Sequence, residues 1–357
     1  MSTVTSSRVS NRIPTLDGWR GIAIILVALN HVEQGALRSY VIPLRGVLGV
    51  GIFFVLSGFL ITTNLMRERS STGSISLRSF YIRRFFRLMP AAWVYLLTTT
   101  LFFAPFYSGV HGFWESTLGC IFLFRNYVDP FVHFWLTGHF WTLSIEEQFY
   151  LLWPITLLLL GSRRAAWLAG IGALAVALHR FFMADKLSWG ASLATGFRVD
   201  GILVGCLAAL LYPALRPYLR PWFIWPVGAA MLCCVWRYEE FVPLIESLLI
   251  VCLIYLTVSF PMSTFSRILE WKPLSAIGVL SYSLYLWQQP FLSFSGLKGY
   301  EGIPIRFLLA WAFAVLSFNW IEAPCRRWGV RLSLHVKRET THDSDLSPMT
   351  AAPLGRE

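Results

Sequence analysis

Arg20 and His31 are the first residues of this sequence whose types and spacing could do chemistry. They are eleven residues apart, and at about 100° per residue a helix returns to the same face over that distance. The helical rise places them roughly 16 Å apart along the axis. A histidine can act as a general base near neutral pH, so the pair predicts an interior groove with a cation at one end and a base at the other. Alternatively, Arg20 reaches a polar interface and His31 hydrogen-bonds to a neighbouring helix.

A second group of basic residues, Arg83, Arg84 and Arg87, precedes a long apolar stretch. Arg84 and Arg87 are three residues apart and therefore share one face of a helix. Guanidinium groups bind phosphate through two parallel hydrogen bonds, so this face predicts a site for a phosphorylated ligand. The alternative is that the run is a basic anchor at a membrane interface.

Two adjacent carboxylates, Glu146 and Glu147, open another apolar stretch in the run from His139 to Tyr150. Adjacent residues point in different directions around a helix, so at least one of the two acids must face the protein interior. We predict that a carboxylate here holds the imidazole of His31 in the tautomer that base catalysis needs. The alternative is that both acids only stabilise the start of their helix through its dipole.

The composition indicates that the elements carrying these residues lie in a lipid bilayer. Hydrophobic residues make up 56% of the 357 and charged residues only 14%, whereas a soluble domain carries about 25% charged residues. The mean hydropathy is +0.58. The net charge of +11 does not predict nucleic-acid binding, because the basic residues stand in short clusters between apolar runs, as in positive-inside topology. The six cysteines show no metal-ligand spacing, so no metal is expected.

The expected fold class is all-α, a polytopic integral membrane protein with about ten transmembrane helices, since a span needs about 20 apolar residues. The expected spans are 18–36, 44–66, 88–107, 140–160, 165–183, 199–213, 222–236, 244–260, 275–294 and 304–322. With a cytoplasmic N-terminus, about two thirds of the 30 basic residues fall on the inner side, so both termini are predicted to be cytoplasmic. The apolar stretch 113–124 is predicted to be re-entrant or interfacial, because another crossing would put the later basic residues outside.

The chain is expected to divide into three parts. We predict a cytoplasmic tail over 1–12, a transmembrane domain over 13–328, and a cytoplasmic, largely disordered tail over 329–357, whose end is rich in polar residues. The first apolar run is expected to be retained as a span, because no small-residue cleavage site follows it. The predicted location is the inner cell membrane, with multiple passes.

Five sequence elements, in order along the chain, resemble the membrane-bound acyltransferase-3 family. They are Leu16 to Gly21 followed by His31, the phrase 51–59, the pair Arg84 and Arg87, the run 141–150 and the phrase 281–287. The resemblance covers about residues 12–328. Relatives often carry a histidine after the position of Trp287, where this sequence has Gln288 and Gln289, so no second histidine is expected at that spot.

The resemblance implies transfer of an acyl group from acyl-CoA, often acetyl-CoA, to hydroxyls of carbohydrates or other secondary metabolites. It implies a catalytic role for His31 and donor binding by Arg84 and Arg87. The candidate catalytic residues are therefore His31, Glu146 and Glu147, and the candidate donor-binding residues are Arg20, Arg84 and Arg87. Supporting roles are expected for Asp17, Ser144, Gln148, Tyr150, Tyr282 and Tyr285.

The expected partners are acyl-CoA, a carbohydrate or glycolipid acceptor, and the lipid bilayer. We expect the CoA phosphates on the inner arginines and the pantetheine arm between the helices. His31 would then deprotonate the acceptor hydroxyl or carry the acyl group transiently. Three alternative functions stay open. The protein could be a proton-coupled transporter, because buried Arg, His and Glu also occur in such carriers. It could also be a scaffold without catalysis, or an acyltransferase that acts on a macrolide-like metabolite.

Overall fold

The computed structural model describes residues 13–33, 46–107, 112–128, 135–183, 186, 191–235, 242–292 and 302–345, and all regular elements in these ranges are helical. The α-helices are α1 (Pro14–Glu33), α2 (Gly46–Thr72), α3 (Leu77–Tyr107), α4 (Phe113–Ile121), α5 (Phe140–Met183), α6 (Thr195–Arg198), α7 (Asp200–Leu215), α8 (Ile224–Val235), α9 (Val242–Ser259), α10 (Thr264–Leu269), α11 (Lys272–Val279), α12 (Ser281–Leu292), α13 (Ile303–Ser317) and α14 (Ala323–Asp345). Short 3₁₀ turns cover Arg125–Tyr127, Trp135–Thr137, Ala191–Leu193, Arg216–Tyr218 and Pro221–Phe223, and a π-helix covers Phe318–Glu322.

Six of the described helical segments are long and apolar enough to cross a bilayer. They are Gly46–Thr72, Leu77–Phe102, Phe140–Met183, Asp200–Tyr218, Val242–Ser259 and Ile303–Val336. Their outward faces carry large apolar side chains, such as Leu159 and Phe182, which are 74% and 69% exposed. Because exposing so much apolar surface to water is unfavourable, these faces meet lipid. The chain is a multi-pass membrane protein; the count of ten spans and the side on which the termini lie stay predictions.

α5 contains a kink at the point where the sequence predicts a loop between two spans. Gly161 has φ 72° and ψ 170°, outside the helical region. Glycine adopts positive φ without the steric penalty of other residues. The expected spans 140–160 and 165–183 therefore meet at this bend.

The stretch 113–124 does not form a crossing helix. α4 covers nine of its residues, about 14 Å at the usual helical rise. The hydrocarbon core of a bilayer is about 30 Å thick. α4 alone is therefore too short to cross it, and it ends close to the start of α5, where it packs against Arg125–Tyr127.

Two expected element boundaries are wrong. The expected span 275–294 is two helices, α11 and α12, which meet at Leu280. α3 begins at Leu77, eleven residues before the expected span, so Arg84 and Arg87 lie two to three turns inside it. Hydropathy marks only the apolar part of a helix, whereas the polar first half of α3 is held by tertiary contacts such as the hydrogen bond that Tyr81 Oη donates to the Leu151 carbonyl at 2.7 Å.

The predicted disordered tail is also wrong in its first part, because α14 extends to Asp345. Gly329, Ser333 and Val336 are buried at helical spacing against α3. A Cβ on Gly329 would lie 2.5 Å from Phe86, so the two helices pack closely. The buried face is made mostly of small residues, which hydropathy does not mark. Residues 1–12 and 346–357 of the predicted tails lie outside the described residues.

Close contact between α2 and α7 holds the centre of the bundle. A Cβ on Gly58 would lie 2.0 Å from the Ile202 carbonyl oxygen, and one on Gly205 would lie 2.2 Å from the Val55 carbonyl oxygen. Small residues allow helix backbones in membranes to approach each other in this way. The two glycines therefore set the distance between α2, whose Phe53 and Ser57 line the cavity described below, and the rest of the bundle.

Replacing Gly58 with alanine should destabilise the protein, because the added methyl group forces α2 and α7 apart. Overpacking of this kind costs about 1–3 kcal/mol. The measurement is the thermal unfolding midpoint of the purified protein in detergent. Gly228→Ala is the matched control, since a Cβ at Gly228 meets nothing within 4 Å. Equal midpoints for the two variants would contradict the close-contact role of Gly58.

Candidate active site

Helices α1, α3, α5, α12 and α14 bring the chemically capable side chains together in two clusters at different depths. We call Arg20, Arg84, Arg87 and Arg326 the arginine cluster, since they line one cavity. We call His31, His139 and Gln288 the histidine cluster, since His31 interacts electrostatically with both of the others. Arg20 and His31 both lie on α1, so the helical rise separates the clusters by roughly 16 Å.

Arg84 is paired with both candidate carboxylates. Its Nε and Nη2 donate to Glu147 Oε1 at 3.0 and 2.8 Å, and its Nη2 lies 3.6 Å from Glu146 Oε2. Its guanidinium carbon lies 3.6 Å from the ring centroid of Tyr150, a cation–π contact. The prediction that one of these carboxylates orients His31 is wrong for this structure, because both face Arg84 instead.

The register between α3 and α5 explains this pairing. The two helices run antiparallel: Arg84 meets Glu147, and eleven residues further along α3 Tyr95 Oη donates to the carbonyl of Leu136 at 2.7 Å. Arg84 and Glu146 therefore lie at the same depth. Both helices carry these charges about two turns inside their ends.

Arg20 also has a carboxylate partner, but Arg87 and Arg326 are free to bind another anion. Arg20 Nη1 donates to Asp17 Oδ1 at 3.1 Å, since the two residues are three positions apart on one face of α1. Among the described residues, Arg87 and Arg326 make no hydrogen bond or ion pair; Arg326 only lies over the Phe318 ring at 5.9 Å. Of Arg84 and Arg87, only Arg87 therefore makes no ion pair with a carboxylate in the described part of the chain.

Glu322 and Arg326 belong to this site and were not among the residues expected from the sequence. Glu322 is buried and accepts a hydrogen bond from Ser283 Oγ at 2.8 Å. It interacts electrostatically with Arg87, Arg326 and Arg20. The π-helix Phe318–Glu322 ends at this residue, a feature often found at functional sites. An acid at the end of the expected span 304–322, four residues before an arginine, was the signal that could have identified both.

A cavity of about 380 Å³ runs from the arginine cluster toward the histidine cluster. Arg83, Arg326 and Val330 lie at the end nearer α14, and apolar residues such as Phe53, Phe54 and Leu60 form much of the wall. Thr142 and Tyr285 line the opposite end. The cavity therefore combines a cationic end with an apolar channel.

Two hydrogen-bonded side chains line the far end of this cavity. The Thr142 hydroxyl bonds to the Tyr285 hydroxyl, which donates to the backbone carbonyl of His139. His31 does not line the cavity. The contacts that connect the cavity to His31 run through Tyr285, whose ring centroid is 5.1 Å from that of His139, and through His139.

His31 is half-buried near the end of α1, and its Nδ1 has no hydrogen-bond partner among the described residues. Gln288 lies beside the imidazole, but neither amide atom of Gln288 makes a hydrogen bond with a described residue. His31 thus faces α12, with a glutamine in the position where a carboxylate was expected.

The remaining candidates divide into cavity residues and anchors. Tyr150, Tyr282 and Tyr285 line the cavity. Ser144 and Gln148 do not: Ser144 Oγ accepts from the backbone N–H of Arg125 at 3.2 Å, and Gln148 Nε2 donates to the Leu123 carbonyl at 2.7 Å. These two residues tie the turn after α4 to α5. Within the described ranges, no group of three or more His, Cys, Asp or Glu side chains could hold a metal ion.

The known proteins and the family model that this chain resembles are all named as acyltransferases. The family model described as an acyltransferase domain matches residues 13–321. The peptidoglycan O-acetyltransferase OatA of Listeria monocytogenes is 30% identical over 89% of this chain and 56% of its own length. The O-acetyltransferase OatA of Staphylococcus aureus is 31% identical over 89% of this chain and 58% of its own length.

The chain therefore spans somewhat more than half the length of these curated relatives. No solved structure matches this one. The family model covers more than half of the chain and includes both clusters except Arg326. The resemblance noted in the sequence is confirmed, and the protein belongs to the acyltransferase-3 family.

Proposed function

We propose that this protein is a membrane O-acyltransferase that moves an acetyl group from acetyl-CoA to a hydroxyl of a carbohydrate. The observation that carries this proposal is the cavity, which combines a cluster of arginines with apolar walls and whose lining residue Tyr285 contacts His139, the neighbour of His31. The names of the relatives, which are O-acetyltransferases, support the reaction type. Neither a transporter nor a scaffold is favoured by any specific contact among the described residues.

The donor site is proposed at the arginine cluster. CoA carries phosphates at one end and an acyl thioester at the other, joined by a narrow arm. Among the described residues, Arg87 and Arg326 make no ion pair at bonding distance and interact only electrostatically with the nearby Glu322, so they would take the phosphates, with Arg20 close by. Arg84 would hold Glu146 and Glu147 in place rather than bind the donor. The arm would follow the apolar wall toward Tyr285.

In the proposed reaction His31 accepts the proton of the acceptor hydroxyl. The hydroxyl oxygen attacks the acyl carbonyl carbon and forms the new C–O bond. The C–S bond then breaks, and CoA leaves as a thiolate that takes the proton from His31. For this to happen the acyl group must pass the end of the cavity, so the hydrogen bond between Thr142 and Tyr285 must open.

The acceptor is proposed to be a glycan of N-acetylated amino sugars, because the Listeria relative is named a peptidoglycan O-acetyltransferase. A glycolipid or a macrolide-like metabolite would meet the same chemistry. We place the protein in the inner cell membrane with both termini and the arginine cluster on the cytoplasmic side, where acetyl-CoA is made. The exposed apolar faces of the helices support the membrane part of this proposal.

The direct test is transfer by the purified protein in lipid vesicles. Labelled acetyl-CoA and chitotetraose, a soluble amino-sugar oligomer, are supplied on either side, and the product is identified as an acetyl ester by mass spectrometry and alkaline release. Ester formation that depends on the protein supports the proposal. If protein that binds CoA acetylates neither this oligomer nor isolated peptidoglycan strands, the acceptor is not a carbohydrate of this kind.

Replacing Arg87 or Arg326 with alanine should weaken CoA binding about 10- to 100-fold, because each change removes a charge-assisted hydrogen bond worth about 1.5–3 kcal/mol. Arg87→Lys should lose less, since the charge remains but the paired donors do not. Titration calorimetry with CoA in detergent measures the dissociation constant. Arg267→Ala, an exposed position outside the cavity, is the control. An unchanged affinity in both alanine variants rules out the donor site.

A further inference from the structure

His139 is a buried histidine whose ring nitrogens make no hydrogen bonds with the described residues. The residue is 5% exposed, yet neither ring nitrogen has a hydrogen-bond partner among the residues that the structure describes. Leaving buried polar atoms unpaired is unfavourable, and native proteins do it where a substrate or a catalytic role supplies the partner. His139 was not among the candidate site residues expected from the sequence, so its environment calls for an explanation.

Aromatic rings fix the position of this imidazole. Its ring centroid lies 5.5 Å from that of Tyr95, 4.9 Å from that of Phe140 and 5.1 Å from that of Tyr285. Its backbone carbonyl accepts the hydrogen bond from the Tyr285 hydroxyl. The ring is thus held by packing and by its own backbone, which leaves both nitrogens available and their directions set in advance.

His139 lies where an acyl group and an acceptor would meet. Tyr285 lines the cavity and contacts the ring of His139, and His139 lies close enough to His31 to interact with it electrostatically. Gln288, which is 1% exposed and whose amide atoms make no hydrogen bond with a described residue, lies next to His31. The contacts between the cavity and the proposed base therefore run through His139.

His139 precedes the first residue of α5, and its surroundings keep the ring neutral. Burial, and then the neighbouring His31 and Arg125, lower the pKa of His139 well below its usual value. A neutral imidazole has one N–H donor and one acceptor nitrogen. Such a ring can donate a hydrogen bond to a developing negative charge without first losing a proton.

We propose that His139 is a second catalytic histidine, whose ring N–H donates to the acyl carbonyl oxygen while the acceptor hydroxyl attacks. The inference rests on the proposed function. The acceptor proton moves to His31, the new C–O bond forms, and the carbonyl oxygen becomes an oxyanion held by the N–H of His139. When the C–S bond breaks, the carbonyl reforms, and the CoA thiolate leaves with the proton from His31. His139 keeps its own proton throughout.

Two substitutions separate this role from packing. His139→Phe keeps an aromatic ring among Tyr95, Phe140 and Tyr285 but removes the N–H, whereas His139→Gln keeps an N–H donor on a smaller, non-aromatic group. Transfer from acetyl-CoA to chitotetraose is measured in vesicles, together with the thermal midpoint and the CoA dissociation constant. If His139→Phe does not fold, His139→Met serves as the variant without a donor.

We expect kcat to fall about 10²- to 10³-fold in His139→Phe. The KM for acetyl-CoA should stay within threefold of that of the unchanged protein. The kcat of His139→Gln should be at least about tenfold higher than that of His139→Phe. A purely structural role would give the opposite order, because phenylalanine packs better than glutamine. If the activity of His139→Phe stays within threefold of that of the unchanged protein, the inference about His139 is wrong, and the proposed function is not affected. Absence of transfer by the unchanged protein overturns the proposed function, and this inference with it.

Discussion

Replacing His31 with alanine should lower acetyl transfer about 10²- to 10⁴-fold, because base catalysis typically contributes that much. The affinity for CoA should stay the same, since His31 does not line the cavity that the donor is proposed to occupy. Initial rates of ester formation on chitotetraose measure the first effect, and titration calorimetry with CoA measures the second. The two measurements together separate a lost base from a lost donor site.

The control for this substitution is His335→Ala, an exposed histidine on α14. It should transfer at the rate of the unchanged protein. If His31→Ala kept more than a tenth of the activity while the protein inserted and bound CoA normally, His31 would not be the base. An acyl-histidine relay would be indicated instead if brief mixing with labelled acetyl-CoA, without acceptor, left label on the unchanged protein and none on the His31→Ala variant.

Replacing Glu147 with alanine should destabilise the protein strongly, by about 3–5 kcal/mol, because it leaves the Arg84 cation buried with only Glu146 at 3.6 Å. The loss should appear as a large drop in the thermal midpoint and as reduced yield from membranes. Glu147→Gln keeps one hydrogen-bond acceptor and should lose less. The cause is a buried cation left with one distant carboxylate, so replacing the whole group, with Arg84→Met, Glu146→Gln and Glu147→Leu together, should recover much of the stability.

A more exposed ion pair provides the matched control. Arg83 Nη2 lies 3.4 Å from Glu68 Oε2, and about a third of the Arg83 side chain is exposed. Exposed pairs contribute about 0–1 kcal/mol, so Arg83→Ala should shift the midpoint little. If Glu147→Ala and Arg83→Ala melted at the same temperature, Glu147 would not be a structural anchor for Arg84, and a role of the carboxylate in the reaction would have to be considered again.

The sequence by itself determined the properties that depend on one helix at a time. Hydropathy identified an all-helical membrane protein, and the eleven-residue spacing put Arg20 and His31 on one face of α1, where both turn toward α12 and its neighbours. Asp17, for which a supporting role was expected, lies three residues before Arg20 on α1 and forms an ion pair with it. These inferences hold because helical periodicity relates residues along a single element.

Only the tertiary structure decided which charges meet. The pairing of Arg84 with Glu147 joins residues 63 positions apart, and it depends on the register between α3 and α5, which sequence spacing does not contain. Likewise, Arg87 makes no ion pair with any described residue, Glu322 and Arg326 from the end of the chain lie near it, and His139 rather than a carboxylate lies near His31. Small residues at close contacts, such as Gly58 and Gly329, set how far helices slide and approach. Because their effect depends on the partner helix, the composition of the site could not be derived from local patterns alone.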